Sequence, residues 1–298
     1  MTTDQRVAVD TLLREAPFDR DASVAEQRAT FAERQTAPLP DDVTVAEATL
    51  GGRPALDLRV PGANPHQVLL YLHGGGYVVG SARTGARLAV ALGRRAGVRA
   101  VSLDYRLAPE NPFPAAVDDT LAAYRELLDS GLRADEIAMA GDSAGGGLAV
   151  ATLLAARAAG LPQPAAVAVF SPWVDLTLSG DSMVAKDGVD PLFTRERIAA
   201  YAERYVPQRD RSAPLVSPAF ADLTGLPPLL VQVGSHEVLL DDAVRLAGRA
   251  AADDVAVTLD VAPGVPHVFQ SFLGMLDDAE EALDRAGRFL RARLPVAR

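Results

Sequence analysis

Three features of the sequence predict an α/β protein with a mostly parallel central sheet and helices on both faces. Short apolar runs near 68–73, 100–103, 137–141, 166–170 and 229–233 alternate with helix-patterned stretches, the rhythm of repeated βα units. The run from Val68 to His73 is apolar almost throughout, as expected of a strand covered on both sides. Ser143 stands between glycines in Gly141-Asp142-Ser143-Ala144-Gly145, where one apolar run stops and an Ala/Leu-rich run begins. That is the form of a sharp strand-to-helix turn that projects a serine hydroxyl.

The elements follow in order. Residues 1 to about 40 are polar with apolar positions at Val7, Val9, Leu12 and Leu13, then Val24, Ala25, Ala29 and Phe31, which predicts one or two amphipathic helices ended by Pro38 and Pro40. Val43 to Leu50 and Ala55 to Val60 read as a hairpin turned by Gly51-Gly52. After the strand at 68–73 come Gly74-Gly75-Gly76-Tyr77, a helix over Thr84 to Ala96, a strand Ala100 to Leu103, a proline-rich loop Tyr105 to Pro114 and a helix Ala115 to Leu128. The serine turn leads into a helix to about Ala159 and a strand Ala166 to Phe170. Trp173 to about Pro218 breaks the rhythm with Gly180, Gly188, Pro191 and Pro207 around one helical run, Arg195 to Tyr205. This excursion, over about 175–218, is expected to join residues 1–40 as a cap. The sheet resumes at Leu229 to Val233, followed by a helix Asp241 to Ala252, a strand Val255 to Val261, a loop holding His267 and a closing helix near Asp277 to Leu294. The 298 residues read as one domain.

Composition narrows the function classes. A hydrophobic content of 49% provides for a large core, and the formal charge of −10 argues against nucleic acid or an anionic membrane as partner. Lys186 is the only lysine, and the absence of cysteine removes disulfides, thiolate chemistry and cysteine zinc sites. No metal-ligand set, phosphate loop or dinucleotide fingerprint is present, so no cofactor is expected. The first ten residues lack a signal-peptide core and no apolar run approaches the ~18 residues of a membrane span; a cytoplasmic location is the expectation.

A nucleophilic serine needs a base, an acid to orient the base, and donors for the developing oxyanion. Glycine is required on either side of the turn because a side chain there would collide with strand or helix, and the new helix offers amide groups beside the serine. Of four histidines, His66 sits in a polar loop, His73 ends a strand and is read as structural, and His236 reads as surface by alternation with Glu237. His267, in Pro-Gly-Val-Pro-His-Val-Phe after the last strand, is the candidate base. For the acid, Glu237 lies at a strand's carboxyl end, where active groups of open α/β sheets collect. Asp241 remains the alternative, although it and Asp242 suit the first turn of the next helix. The order Ser143, Glu237, His267 is that of the α/β-hydrolases. Tyr77, Trp173, Leu192, Phe193 and Phe220 are candidate walls of an apolar substrate pocket, whereas Asp104, Arg106 and Glu110 are expected to hold the loop near the serine.

Four ordered motifs carry a resemblance: H-G-G-G-Y at 73–77, D-Y-R-L-A-P-E at 104–110, G-D-S-A-G-G at 141–146 and P-H-x-F around His267. Together they resemble the hormone-sensitive-lipase-like (family IV) bacterial esterases of the α/β-hydrolase fold, over nearly the whole chain. The resemblance implies Ser143 as nucleophile, His267 as base, and the amides of Gly74, Gly75 and Ala144 as oxyanion hole. It also implies short- to medium-chain acyl esters or lactones as substrates, and a homodimer through the last strand's edge. The sequence departs from the family at the acid, where D-P-L-x-D is replaced by Glu237-Val238-Leu239-Leu240-Asp241. Asp190-Pro191-Leu192 has the family's letters, but it lies in the excursion, follows no strand and is set aside. Two other classes share these features. An amidase or peptidase would use the same triad, and a small-molecule receptor of the same fold would keep the pocket without the histidine.

Overall fold

The computed structural model describes residues 2–15 and 22–296. Along them run α1 (Thr2–Glu15), α2 (Val24–Gln35), β1 (Thr44–Leu50), β2 (Arg53–Arg59), β3 (Asn64–Leu72), α3 (Ala82–Ala96), β4 (Val98–Leu103), α4 (Ala115–Asp129), β5 (Ile137–Asp142) and α5 (Ala144–Ala158). Then follow β6 (Ala166–Phe170), α6 (Ser182–Ala185), α7 (Arg195–Tyr205), β7 (Leu229–Gly234), α8 (Leu240–Ala252), β8 (Val257–Ala262) and α9 (Asp277–Arg291). The strands form one sheet in the order β1-β2-β4-β3-β5-β6-β7-β8. The pairs β1/β2 and β2/β4 are antiparallel and the other five are parallel. Gly51 and Gly52, at φ +61° and +71°, make the hairpin turn that the sequence called for.

Alternation along each strand sorts the core into two layers. On β3, Val68, Leu70 and Leu72 face α4, α5 and α8, while Leu69 and Tyr71 face α3 and α9. The second face is lined by Ala138, Ala140, Ala166 and Ala168, small residues that leave room for Leu92 of α3 and for Leu283 and Leu290 of α9. β5 lies inside the sheet between β3 and β6, so the serine turn is carried on an enclosed strand.

Boundaries shift where local bonding overrides periodicity. β3 begins at Asn64 because a register shift between Asn64 and Val68 accommodates the polar Pro65 and His66. β8 begins only at Val257, since the Val255 amide bonds to Ala250 O and closes the end of α8. The excursion contains a short helix, α6, that its polar pattern did not announce.

The amino-terminal helices are tied to the body on both sides of residues 16–21, which lie outside the described residues. Val9 of α1 is fully buried against Val265, Phe269 and Leu276, and Arg6 forks onto Asp278 at 2.9 and 2.7 Å. On α2, which opens with a Ser23–Glu26 capping box, Arg28 donates to Val78 O (2.9 Å), Ala108 O (3.0 Å) and Glu110. Arg204 of α7 reaches Gln27 of α2 at 3.2 Å, so the amino-terminal helices and the excursion touch. Among the described residues no helix is long and apolar enough to cross a membrane.

Candidate active site

β5 ends at Asp142 and the chain turns sharply through Ser143, which holds φ +54° and ψ −123°. That conformation is costly for a residue with a side chain, and the backbone holds it from both ends. The Ser143 amide donates to Phe170 O at 2.8 Å, and its carbonyl accepts from Trp173 N at 2.9 Å. A Cβ on Gly145 would lie 2.1 Å from Leu72 O, and one on Gly141 would lie 2.3 Å from Gly145 O. The glycines of the motif therefore answer to close backbone approach.

His267 arrives on the loop after β8 and Glu237 on the loop after β7. Nδ1 of His267 lies 2.6 Å from Glu237 Oε2. A carboxylate only accepts, so Nδ1 carries the proton and Nε2 presents its lone pair. Glu237 is fully buried, and its other oxygen accepts from Gly234 N and from Ser171 Oγ, both at 2.7 Å. Ser171 Oγ in turn accepts from Val268 N at 3.0 Å, joining the histidine loop to the acid. Ser171 and Val268 both hold positive φ, +45° and +48°, so backbone strain gathers around this pair as it does at Ser143. Burial depresses the basicity of His267, but the charge and hydrogen bond of Glu237, with Asp190 and Asp142 beyond, raise its pKa above the ordinary imidazole value. Asp241, the alternative acid, instead accepts from Ser182 N at 2.9 Å. Asp242 is buried and accepts from the amides of Val174 and Asp175 at 2.9 and 2.8 Å.

The turn after His73 changes one expectation. The Gly74 amide donates to Asp142 Oδ1 at 3.1 Å, and Tyr71 OH donates to the same oxygen at 2.7 Å. The Gly74 amide is thereby occupied, where the resemblance implied an open oxyanion donor. Among the described residues the amides of Gly75, Gly76 and Ala144 meet no acceptor. Gly75 and Gly76 take φ of +120° and +60°, conformations open to glycine. His73 stays structural: Nδ1 donates to Gly74 O at 2.7 Å, the ring stacks on Tyr105 at 4.2 Å, and burial lowers its pKa. The loop bearing Asp104, Arg106 and Glu110 is pinned at Ala82 N, Asp119 and Arg28 respectively.

A cavity of about 420 Å³ brings Ser143, His267, Gly75, Gly76 and Asp142 together, within the usual size for a small-molecule site. Trp173, Leu192 and Phe193 line it, the last edge-on to His267 with ring centroids 5.1 Å apart. The amino-terminal helices add Leu12, Leu13 and Phe31. Two expected wall residues are elsewhere. Tyr77 is buried behind the site, stacked on Tyr205 at 3.8 Å, and Phe220 is 44% exposed on a short turn away from the cavity. His66 is exposed, and His236 is half-buried outside the cavity. Sequence reasoning missed Asp142 and Ser171, although each sits at the carboxyl end of a parallel strand, beside or within a motif.

The chain is similar over most of its length to known α/β hydrolases. The family described as alpha/beta hydrolase fold matches residues 69–271. An acetyl-hydrolase of Streptomyces hygroscopicus is 42% identical over 278 residues, covering 91% of each chain. The crystal structure of an esterase from the bacterial hormone-sensitive lipase family superposes with a TM-score of 0.95 at 44% identity, over 98% of this chain and 99% of that one. The crystal structure of EstE5 soaked with p-nitrophenyl butyrate gives a TM-score of 0.93 at 41% identity, over 97% and 98% of the chains.

Proposed function

This chain belongs to the hormone-sensitive-lipase-like (family IV) esterases of the α/β-hydrolase fold and is a carboxylic ester hydrolase; from that premise we propose that it works through an acyl-enzyme on Ser143. The observation that carries this reading is the 2.6 Å bond that His267 makes to buried Glu237, with His267 lining the same cavity as a serine held on a strained turn. Neutral His267 takes the Ser143 proton through Nε2 as Oγ attacks the ester carbonyl, and Glu237 stabilises the imidazolium that forms. The oxyanion is received by the amides of Gly75, Gly76 and Ala144. His267 then protonates the departing alcohol, leaving an acyl-serine, and water activated by the same imidazole releases the acid.

The substrate class follows from cavity size and lining. About 420 Å³, walled largely by apolar side chains from body and cap, suits short- to medium-chain acyl esters or lactones. EstE5, soaked with a butyrate ester, is a relative of matching shape. We assign residues 1–40 and about 175–218 as the cap that closes this cavity. The test is a screen over p-nitrophenyl esters of increasing chain length, lactones and acetylated small molecules, with Ser143→Ala alongside. The variant should fold normally and lose on the order of 10⁴-fold or more in kcat. Covalent labelling of another serine by an organophosphate would overturn the assignment.

A further inference from the structure

The Asp190-Pro191-Leu192 turn in the cap holds interactions that none of the chemical steps uses. Asp190 is 5% exposed, and its two oxygens point to different parts of the molecule. Oδ1 accepts from the amides of Leu192 at 2.8 Å and Phe193 at 2.9 Å, two residues of the cavity wall. Oδ2 accepts at 2.9 Å from the amide of Val238, the residue following Glu237. Ser182 of α6 adds a second tie to the same loop, donating to Val238 O at 2.6 Å and accepting from Asp241 N at 3.0 Å. Phe193, held by Oδ1, is the ring set edge-on to His267.

Burying a carboxylate is costly unless hydrogen bonds replace its hydration. A simple turn does not require one, because an asparagine oxygen would satisfy the Leu192 and Phe193 amides equally well. An asparagine would, however, set its amino group against the Val238 N–H, donor against donor. Only a carboxylate presents acceptors on both sides. The second oxygen therefore speaks for a role beyond the turn itself.

Resting on the assignment of Glu237 and His267 above, we propose that Asp190 is a positioning residue of ester hydrolysis: it clamps the amide after Glu237 to the turn carrying Phe193, so that the acid and the aromatic wall beside His267 move as one unit. Its effect is exerted through Glu237, when the imidazolium forms, and so falls on kcat more than on KM. His267 faces three carboxylates, Glu237 after β7, Asp142 at the end of β5 and Asp190 from the cap, and the guanidinium groups of Arg34, Arg87 and Arg197 line the same cavity. Removing the Asp190 charge also lowers the pH at which His267 titrates.

The experiment compares Asp190→Asn with Asp187→Asn, an exposed carboxylate of the same segment, in p-nitrophenyl ester hydrolysis well below the melting temperature of each. Asp190→Asn should lose on the order of 10- to 100-fold in kcat with KM within about threefold, and the acid limb of its pH profile should move down. Asp187→Asn should match wild type. The double variant Glu237→Gln/Asp190→Asn should lose no more than about twofold beyond Glu237→Gln alone, because both changes disable one device. Asp190→Glu keeps charge and acceptors on a longer arm; it should lose kcat with the acid limb in place, and it supplies the comparison should the asparagine variant not fold. A raised KM with kcat and acid limb unchanged, additive losses in the double variant, or a fully active Asp190→Glu would overturn the proposal. A Glu237→Gln variant with full kcat would instead overturn the triad on which it rests.

Discussion

The buried histidines, His73 and His267, titrate in opposite directions for a physical reason. Desolvation acts on both, but at His73 it outweighs the Gly74 carbonyl and the Asp104 charge, whereas at His267 the bonded Glu237 carboxylate, with Asp190 and Asp142, outweighs it. A base whose pKa is raised is competent only above that raised value, so kcat/KM should fall, as pH drops, through an ionisation above the ordinary imidazole value of about 6.5. Glu237→Gln removes the raising charge and leaves the burial, so its acid limb should lie lower than that of wild type. The same change should cost kcat about 10⁴-fold, by the behaviour of amidated triad acids, with Asp241→Asn costing far less. A pH profile for Glu237→Gln that superimposes on wild type, or reversed losses at the two acids, would refute this picture. Ser171 supports the pair from behind, and Ser171→Ala strands the Val268 amide and one bond to Glu237. It should destabilise the protein by about 1–3 kcal/mol and slow kcat, both readable from one denaturation series and one assay. The serine was invisible as a functional residue because its role depends on loops 66 and 97 residues downstream.

At the scale of elements, the turn from β5 into α5 is specified twice: by the positive φ of Ser143, and by the absence of Cβ atoms where α5 meets β3. Gly145→Ala sets a methyl 2.1 Å from the Leu72 carbonyl, a backbone atom that cannot rotate away. The cost should reach or exceed the upper part of the usual 1–3 kcal/mol for overpacking, with loss of activity because Ala144 and Ser143 shift together. Gly248, exposed on α8 with nothing within 4 Å of a built Cβ, provides the contrast. Gly248→Ala should stabilise by about 0.5–1 kcal/mol through helix propensity. Urea unfolding of the two variants checks both signs, and a neutral Gly145→Ala would count against the close packing of strand and helix. The excursion was legible as an interruption and as one helix, α7, since that helix has its own cap and pattern. Short α6 has neither; it is held by Ser182 bonding to the β7–α8 loop.

At the scale of the whole molecule, the amino-terminal helices bear on the cavity. Leu12, Leu13 and Phe31 reach the cavity, while Ser143, Glu237 and His267 all lie downstream of residue 40. Deleting residues 1–35 removes apolar wall and exposes the acyl-enzyme to water. It should raise KM and relax chain-length preference, while Ser143 still reacts with a small phosphonate. The truncation also removes the Arg6–Asp278 and Arg28–Glu110 pairs, so circular dichroism must first show a folded core. An unchanged KM and chain-length profile in a folded truncation would make these helices a mere cover for the sheet.

The sequence by itself determined the alternating architecture, the serine turn, and the order of Ser143, Glu237 and His267 along the sheet's loops. Each is written in residues close together along the chain: apolar periodicity, glycines flanking one serine, a histidine and a glutamate at the ends of strands. Tertiary structure alone decided which amides remain open, because Asp142 claims that of Gly74 across the turn. It also decided that Tyr77 and Phe220 stand away from the cavity and that Asp190, with a family's letters in the wrong place, bonds to the residue after Glu237. Side-chain direction and partners far apart in sequence, such as Asp190 and Val238, are fixed only when the excursion and the amino-terminal helices pack onto the sheet, and no local pattern encodes them.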